Sequence, residues 1–263
     1  MNLELQDKSV LVTGGSKGIG LACAKTFAAE GCRVSIAARD RERLEQARKL
    51  LGGEAKAHPV DLRDGEALRA LAAACADVDI LVNNAGDIPG GTIEAVDEAK
   101  WRHAWELKVF GYVNLTRELF ARMKARGSGV IVNVIGMAGE YPSFEYVCGS
   151  TANAGLGAFT KAMGKGSAAF GVRVLGVHPP ATRTDRIVPL IRAAAKEKLG
   201  DENRWQELVG TGSFGQMIEP EQVADMVAFL ASVRAGKLSG VMVNLGACLD
   251  GEYPCPMPRP TTV

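Results

Sequence analysis

The chain has 263 residues and a net charge of +1, with 47% hydrophobic and 23% charged side chains. That balance belongs to globular chains and gives no electrostatic footing for nucleic acid or an anionic membrane as partner. No apolar run is long enough to span a bilayer, and the opening MNLELQDKSVLVTGG lacks a basic stretch followed by a long apolar run, so no secretory leader is read and a cytoplasmic location is expected.

In chain order, SVLVTG (9–14) is the first predicted strand: apolar, β-rich and closed by glycine. RVSIAA (33–38), AKAHPV (55–60), DILVNN (79–84), GVIVNV (129–134), VRVLGV (172–177) and GVMVNL (240–245) follow. Continuous Val/Ile/Leu runs suit strands buried on both faces of a parallel sheet. Helix-length segments separate them, at 18–30, 40–51, 64–75, 98–126, about 151–169 and 219–231. This βα alternation predicts a single α/β domain over 1–250, a doubly wound sheet with helices on both faces. The long insertion, 182–218, holds the helical pieces RIVPLIRAAAKEKL and ENRWQELV and reads either as a substrate lid or as surface packing. The proline-rich tail 251–263 cannot be helix and reads as a flexible end or an arm on a neighbouring subunit. Cys23, Cys32, Cys75, Cys148, Cys248 and Cys255 form no CxxC pair and are expected to be reduced. His58, His103 and His178 have no ligand partner at short spacing, so no metal site is expected.

The first strand runs into GSKGIG and then a helix, with glycines at Gly14, Gly18 and Gly20. A tight turn that lets phosphate approach the backbone needs glycine, and the helix behind it offers unpaired N–H groups at its positive end. The strand–turn–helix context raises this loop above a chance glycine triad. TGGSKGIG, the later NNAG (83–86), the long helix opened by Trp101 and GVIVNV together resemble the short-chain dehydrogenase/reductase family, from Lys8 to about Gly246. The resemblance implies a Rossmann-type domain with seven parallel strands, a nicotinamide cofactor and assembly into homodimers or homotetramers. It implies a cofactor cradle of Gly14, Ser16, Lys17, Gly18, Ile19 and Gly20, with Asp61 and Leu62 at the adenine. Asn83, Ala85 and Gly86 would pack beside the ribose, and Pro179 and Thr184 over the nicotinamide. Pro180 stands where the family has glycine.

A ribose hydroxyl favours a carboxylate at the end of the second strand, whereas a 2′-phosphate is held by cations. That strand ends in AARDRERL, with Ala38 at the usual acidic position, Arg39 next and Lys17 in the glycine loop. Both cations point to NADP(H); Asp40 keeps NAD(H) open.

Reductases of this family use a tyrosine as general acid, a lysine that lowers its pKa and holds the ribose, a serine that polarises the carbonyl, and an asparagine. A phenol with an ordinary pKa of about 10 needs such a cation to act near neutrality. Counted without gaps from Trp101 and from NVIG, those four positions fall on Lys108, Gly136, Gly149 and Asn153. Tyr146 lies seven residues before Asn153, a spacing that resembles the enoyl reductase branch. The expected site is therefore Tyr146 as proton donor, Lys108 as the charge, and Asn153 as a hydrogen-bonding substitute for lysine. Ser150 is a further candidate, although it and Thr151 also read as first-turn helix hydroxyls. Glu140 is a possible base; His103 and Trp105 read as packing. The pocket near Met137, Tyr141, Phe144 and Tyr146 would take a small apolar molecule. The expected activity is an NADP(H)-dependent oxidoreductase acting on a carbonyl, an alcohol or an activated C=C. A non-redox lyase or isomerase, or an inactive nucleotide-binding protein, stays open beside it.

Overall fold

In β1 (Ser9–Thr13), Val10, Leu11 and Val12 are all fully buried. Successive strand side chains point to opposite faces, so burial of all three requires a helical layer on each side. The two layers receive alternate residues. Val10 and Val12 join one apolar cluster and Leu11 the other. Ile80 and Val82 against Leu81, in β4 (Ile80–Asn83), divide the same way. The structure is a computed structural model and describes residues 1–185, 187–208 and 217–246.

The remaining strands are β2 (Arg33–Ala38), β3 (Lys56–Pro59), β5 (Gly129–Val134), β6 (Val172–His178) and β7 (Met242–Asn244). All pair in parallel in the order β3-β2-β1-β4-β5-β6-β7. The chain winds outward from β1 to β3 and then restarts beside β1 at β4. That reversal opens a crevice at the carboxyl ends of β1 and β4, where sheets of this kind bind ligands.

One helix layer is built on α1 (Gly18–Ala29) and α8 (Pro220–Ala231), the other on α3 (Gly65–Ala74) and α5 (Gly111–Arg126). α2 (Arg41–Leu51), α4 (Glu98–Trp105), α6 (Val147–Ser167) and α7 (Ile187–Leu199) complete the set. Their starts show how the sequence divides structural from functional ends. Asp40, Asp64 and Asp97 cap α2, α3 and α4 with their carboxylates, and Glu219 and Gln222 form a capping box on α8. Lys17 at the start of α1 makes no side-chain cap. The first-turn N–H groups of α1 are thus left without a side-chain acceptor, as an anion-binding helix end requires.

Two helices differ from expectation. The predicted 98–126 helix is interrupted by a π-helical turn at Glu106–Phe110, in which the Gly111 N–H reaches the Glu106 carbonyl. The helix expected from about 151 begins at Val147, so Thr151 lies in its second turn with its hydroxyl on the Val147 carbonyl at 2.8 Å. In the 182–218 insertion, α7 and a 3-10 turn (Glu202–Glu207) pack on each other around Ala195 and Trp205. Arg186, residues 209–216 and residues 247–263, with Cys248, Cys255 and the proline-rich tail, lie outside the described residues. Among the described residues no helix is long and apolar enough to cross a membrane.

α6 approaches β6 and β7 closely enough to require glycine. A Cβ at Gly164 would stand 2.6 Å from the Val174 carbonyl oxygen and closer still to the Gly240 backbone. Gly164→Ala should therefore cost ~3 kcal/mol or more, because backbone on both sides leaves nowhere to yield. Thermal denaturation should show a Tm about 10 °C lower; an unchanged Tm would refute this packing.

Candidate active site

The crevice holds a cavity of about 920 Å³ that runs from the glycine loop past the ends of β1, β4, β5 and β6. One end is the glycine turn between β1 and α1. Gly14 has φ +67° and Gly18 φ +54°, conformations that favour glycine. A Cβ on Gly14 would sit 2.8 Å from Asn84 Nδ2, and the Asn84 amide in turn bonds the Thr13 carbonyl at 3.0 Å. Ser16, Lys17, Gly18 and Ile19 line this end. Gly20 does not line the cavity: it is buried in α1, where a Cβ would strike the Gly14 carbonyl, so it shapes the turn.

Three cations, Lys17, Arg39 and Arg43, line the same region. Arg39 lies 3.8 Å from Asp87, with both side chains about half exposed or more. Asp40 lines the cavity beside them, and its Oδ1 caps α2 by accepting from the Arg43 N–H at 3.0 Å. Arg43 was not apparent from the sequence. The cap on Asp40 brings it round, since the residue three beyond an N-cap returns beside it.

After β3, Val60 and Leu62 line the cavity and Asp61 does not. The Asp61 carboxylate is gripped by Arg63, whose Nε donates to it at 2.9 Å and whose guanidinium also holds its second oxygen. This hydrogen bond holds the Asp61 pKa below the ordinary carboxylate value. Asn83 also differs from expectation. It ends β4 with its side chain in the interior, where Nδ2 donates to Asn133 Oδ1 at 2.9 Å and to Thr116 Oγ1 at 3.1 Å. Its neighbours Asn84, Ala85 and Gly86 face the cavity. Asn83 is the last residue of β4, and the three residues that face the cavity follow it in the loop beyond the strand.

The other end gathers three polar side chains, each lying in space that a glycine leaves open. Lys108 comes from the π-helical turn, and a wider turn of this kind re-aims a helical side chain. Its stem crosses Gly86, where a Cβ would come 2.9 Å from Lys108 Cδ, and its Nζ donates to the Ile135 carbonyl at 2.7 Å. The amide of Asn153 fills the space over Gly136, whose φ is +147°; a Cβ there would sit 2.9 Å from Asn153 Nδ2. Asn153 Oδ1 is buried with no protein hydrogen-bond partner. The ring of Tyr146 covers Gly149, where a Cβ would come 2.6 Å from the phenol oxygen. Lys108, Tyr146 and Asn153 all line the cavity, as do Pro179 and Thr184.

Ser150 does not join them. It is buried, and its Oγ accepts from the Ser143 N–H at 3.0 Å, so it braces the loop before α6. Thr151 is exposed and outside the cavity. His103 lies against Arg63 on the surface, and Trp105 donates its Nε1–H to the Cys148 carbonyl at 3.3 Å. Glu140 stands behind the cavity wall, 3.6 Å from His178 Nε2. The four described cysteines are unpaired by disulfides; burial pushes the Cys23 thiol up to about 12.

The overlap at Gly149 has a direct consequence. Gly149→Tyr should destabilise the chain by about 1–3 kcal/mol, since the new side chain must displace the Tyr146 ring. Adding Tyr146→Ala should restore most of that loss. Thermal melts of the single and double variants would read it; equal melts for both would refute the overlap.

The match to known proteins covers most of the chain. The family described as short chain dehydrogenase matches residues 8–194. Galactitol 2-dehydrogenase (L-tagatose-forming) from Cereibacter sphaeroides is 33% identical over 252 residues, covering 92% of this chain and 93% of that protein. The 2,3-dihydro-2,3-dihydroxybenzoate dehydrogenase of Bacillus subtilis is 30% identical over 262 residues, covering 94% of this chain and 96% of that protein. Among solved structures, L-sorbose reductase from Gluconobacter frateurii, complexed with NADPH and L-sorbose, superposes with a TM-score of 0.88 at 29% identity, covering 95% of this chain and 99% of that one.

Proposed function

Because the chain belongs to the short-chain dehydrogenase family and is an oxidoreductase of that type, we propose that it moves hydride between NADP(H) and a carbonyl, an alcohol or an activated C=C of a small, largely apolar molecule, with a rebuilt set of catalytic groups. The observation that carries this reading is the polarity of the cavity. Lys17, Arg39 and Arg43 stand at one end, and Lys108, Tyr146 and Asn153 at the other.

The residues fit the cofactor. The left-handed glycines and the uncapped start of α1 suit a pyrophosphate. A cluster of cations suits a 2′-phosphate, and Asp40, which lines the cavity beside them, has one of its oxygens engaged in the α2 cap. Once bound, NADP(H) supplies or accepts the hydride. The chain itself supplies the rest.

In this reading Tyr146 gives or takes the proton at the substrate oxygen. Lys108 provides the positive charge that makes a phenol competent near neutrality, in place of the family lysine. Asn153, whose Oδ1 is buried and lacks a protein partner, accepts from a ribose hydroxyl or a water while its Nδ2–H faces the space over Gly136. The usual serine, tyrosine, lysine and asparagine positions thus carry Gly136, Gly149, Asn153 and Lys108. Ile88, Leu107, Met137 and Ile187 supply the apolar wall. The self-packed insertion of α7 and its 3-10 turn serves as cover, joined at its root by the Thr182–Ile218 bridge and the Arg183–Glu219 ion pair at 2.7 Å. We read the whole of 1–250 as one domain and a homo-oligomer as its working form.

Fluorescence titration with NADPH and NADH in parallel tests this reading. Tighter binding of NADPH is the expected outcome. Binding of neither would refute it.

A further inference from the structure

His178, the last residue of β6, is almost wholly buried and takes no part in the chemistry proposed above. Its Nδ1 lies 2.6 Å from the Gly136 carbonyl oxygen. A carbonyl only accepts, so Nδ1 carries the proton. Nε2 is then the open position. It makes no hydrogen bond within the protein, yet it faces Glu140 Oε1 at 3.6 Å. With a neutral ring, two acceptors face each other across that gap; with a proton on Nε2, they form an ion pair in a buried setting.

What this couple holds is the floor of the active site. Gly136 has φ +147° and ψ 146°, a region essentially confined to glycine, so its peptide can turn at little cost unless it is tied. Its carbonyl is tied by His178 and its upper face is covered by the Asn153 amide. The preceding carbonyl, that of Ile135, accepts from Lys108. The following N–H, that of Met137, bonds the Pro179 carbonyl at 3.1 Å. One peptide turn at Gly136 would disturb all of these contacts.

We propose that Glu140 and His178 form a proton-dependent couple that positions the Ile135–Met137 backbone, and through it Lys108 and Asn153; His178 is a positioning residue and not a proton donor to substrate. A proton path is excluded by the same geometry, since Nδ1–H ends on a backbone carbonyl. The groups that face His178 from the packed elements are Glu140 on the loop after β5, Lys161 on α6 and Lys108 on the π-helical turn. Burial lowers the His178 pKa, and the two lysines lower it further, whereas the Gly136 carbonyl and Glu140 raise it. Lys161 also lies 4.0 Å from Glu140 with its side chain more than half exposed, so solvent screens it and Glu140 remains the nearest partner.

The assignment of Lys108 and Asn153 to catalysis rests on the reading above; the couple itself does not, and the test separates them. Imidazole ¹⁵N signals of the ligand-free chain should show Nδ1 protonated throughout the titration. The His178 midpoint should fall in Glu140→Gln relative to wild type. A protonated Nε2 with a bare Nδ1, or a midpoint unmoved by Glu140→Gln, overturns the couple. NADPH titrations then read the positioning. His178→Asn keeps a donor for the Gly136 carbonyl but cannot titrate, and should bind NADPH near wild-type strength without the pH dependence of the wild type. His178→Leu removes the donor and should weaken NADPH about tenfold. Equal weakening by both variants, or wild-type binding by His178→Leu, overturns the positioning role. If wild type binds no NADPH, the functional reading fails, and the ¹⁵N signals alone decide the couple.

Discussion

Lys108→Met is expected to lower turnover by about 10²–10⁴-fold while NADPH affinity changes only a few fold. The magnitude is that of a lost acid–base contribution. Lys108 is the only lysine or arginine lining the reacting end of the cavity among the described residues; the other cavity-lining cations, Lys17, Arg39 and Arg43, belong to the nucleotide end. Methionine keeps the length of the stem that crosses Gly86 and removes the charge, with the hydrogen bond to the Ile135 carbonyl and the contact over the Tyr112 ring. Binding therefore survives in this variant, because the phosphate cradle is untouched. A substrate found by screening with NADPH oxidation gives the rate, and a fluorescence titration gives the affinity. Turnover equal to wild type would remove Lys108 from the mechanism. A joint loss of binding and rate would mean that it holds the cofactor instead.

Arg39→Asp should weaken NADPH by about 100-fold and leave NADH within a few fold. A charged hydrogen bond contributes ~1.5–3 kcal/mol, and ~1.4 kcal/mol is a factor of ten in affinity, so losing the guanidinium accounts for roughly a hundredfold at most. The new carboxylate adds repulsion toward a 2′-phosphate, softened by exposure and by the cations Lys17 and Arg43 that remain. In the free protein Arg39 lies 3.8 Å from Asp87, and both side chains are well solvated, so this pair offers little competition for a phosphate. Titrations with both nucleotides at one ionic strength give the ratio directly. An unchanged NADPH affinity would move the 2′-phosphate site away from Arg39 and reopen the choice of cofactor.

Much of this architecture was legible from local pattern. The runs RVSIAA and GVIVNV coincide with β2 and β5 to the residue, and the α/β alternation implied the parallel sheet. Parallel strands buried on both faces write themselves as unbroken apolar runs, and Asp40, Asp64 and Asp97 mark helix starts by a short-range hydrogen bond. The glycine loop was legible for the same reason: its turn and the helix behind it are contiguous in sequence. The π-helical turn was not, because 98–126 has the composition of one helix, and the turn is set by packing against α6, far along the chain.

Residue spacing by itself therefore determined the sheet and the glycine turn that follows β1, since each depends on neighbours a few positions apart. Only the tertiary structure decided which way single side chains turn. It sent Asn83 inward to Asn133 and Thr116, gave Asp61 to Arg63 and set Ser150 against Ser143. It also brought Lys108, Tyr146 and Asn153 into the space opened by Gly86, Gly149 and Gly136, and seated His178 beneath them. A strand residue faces one layer or the other according to its register in the sheet, and a side chain fills a gap according to what lies across it. Both are properties of packing between segments far apart in the chain, which local spacing does not encode.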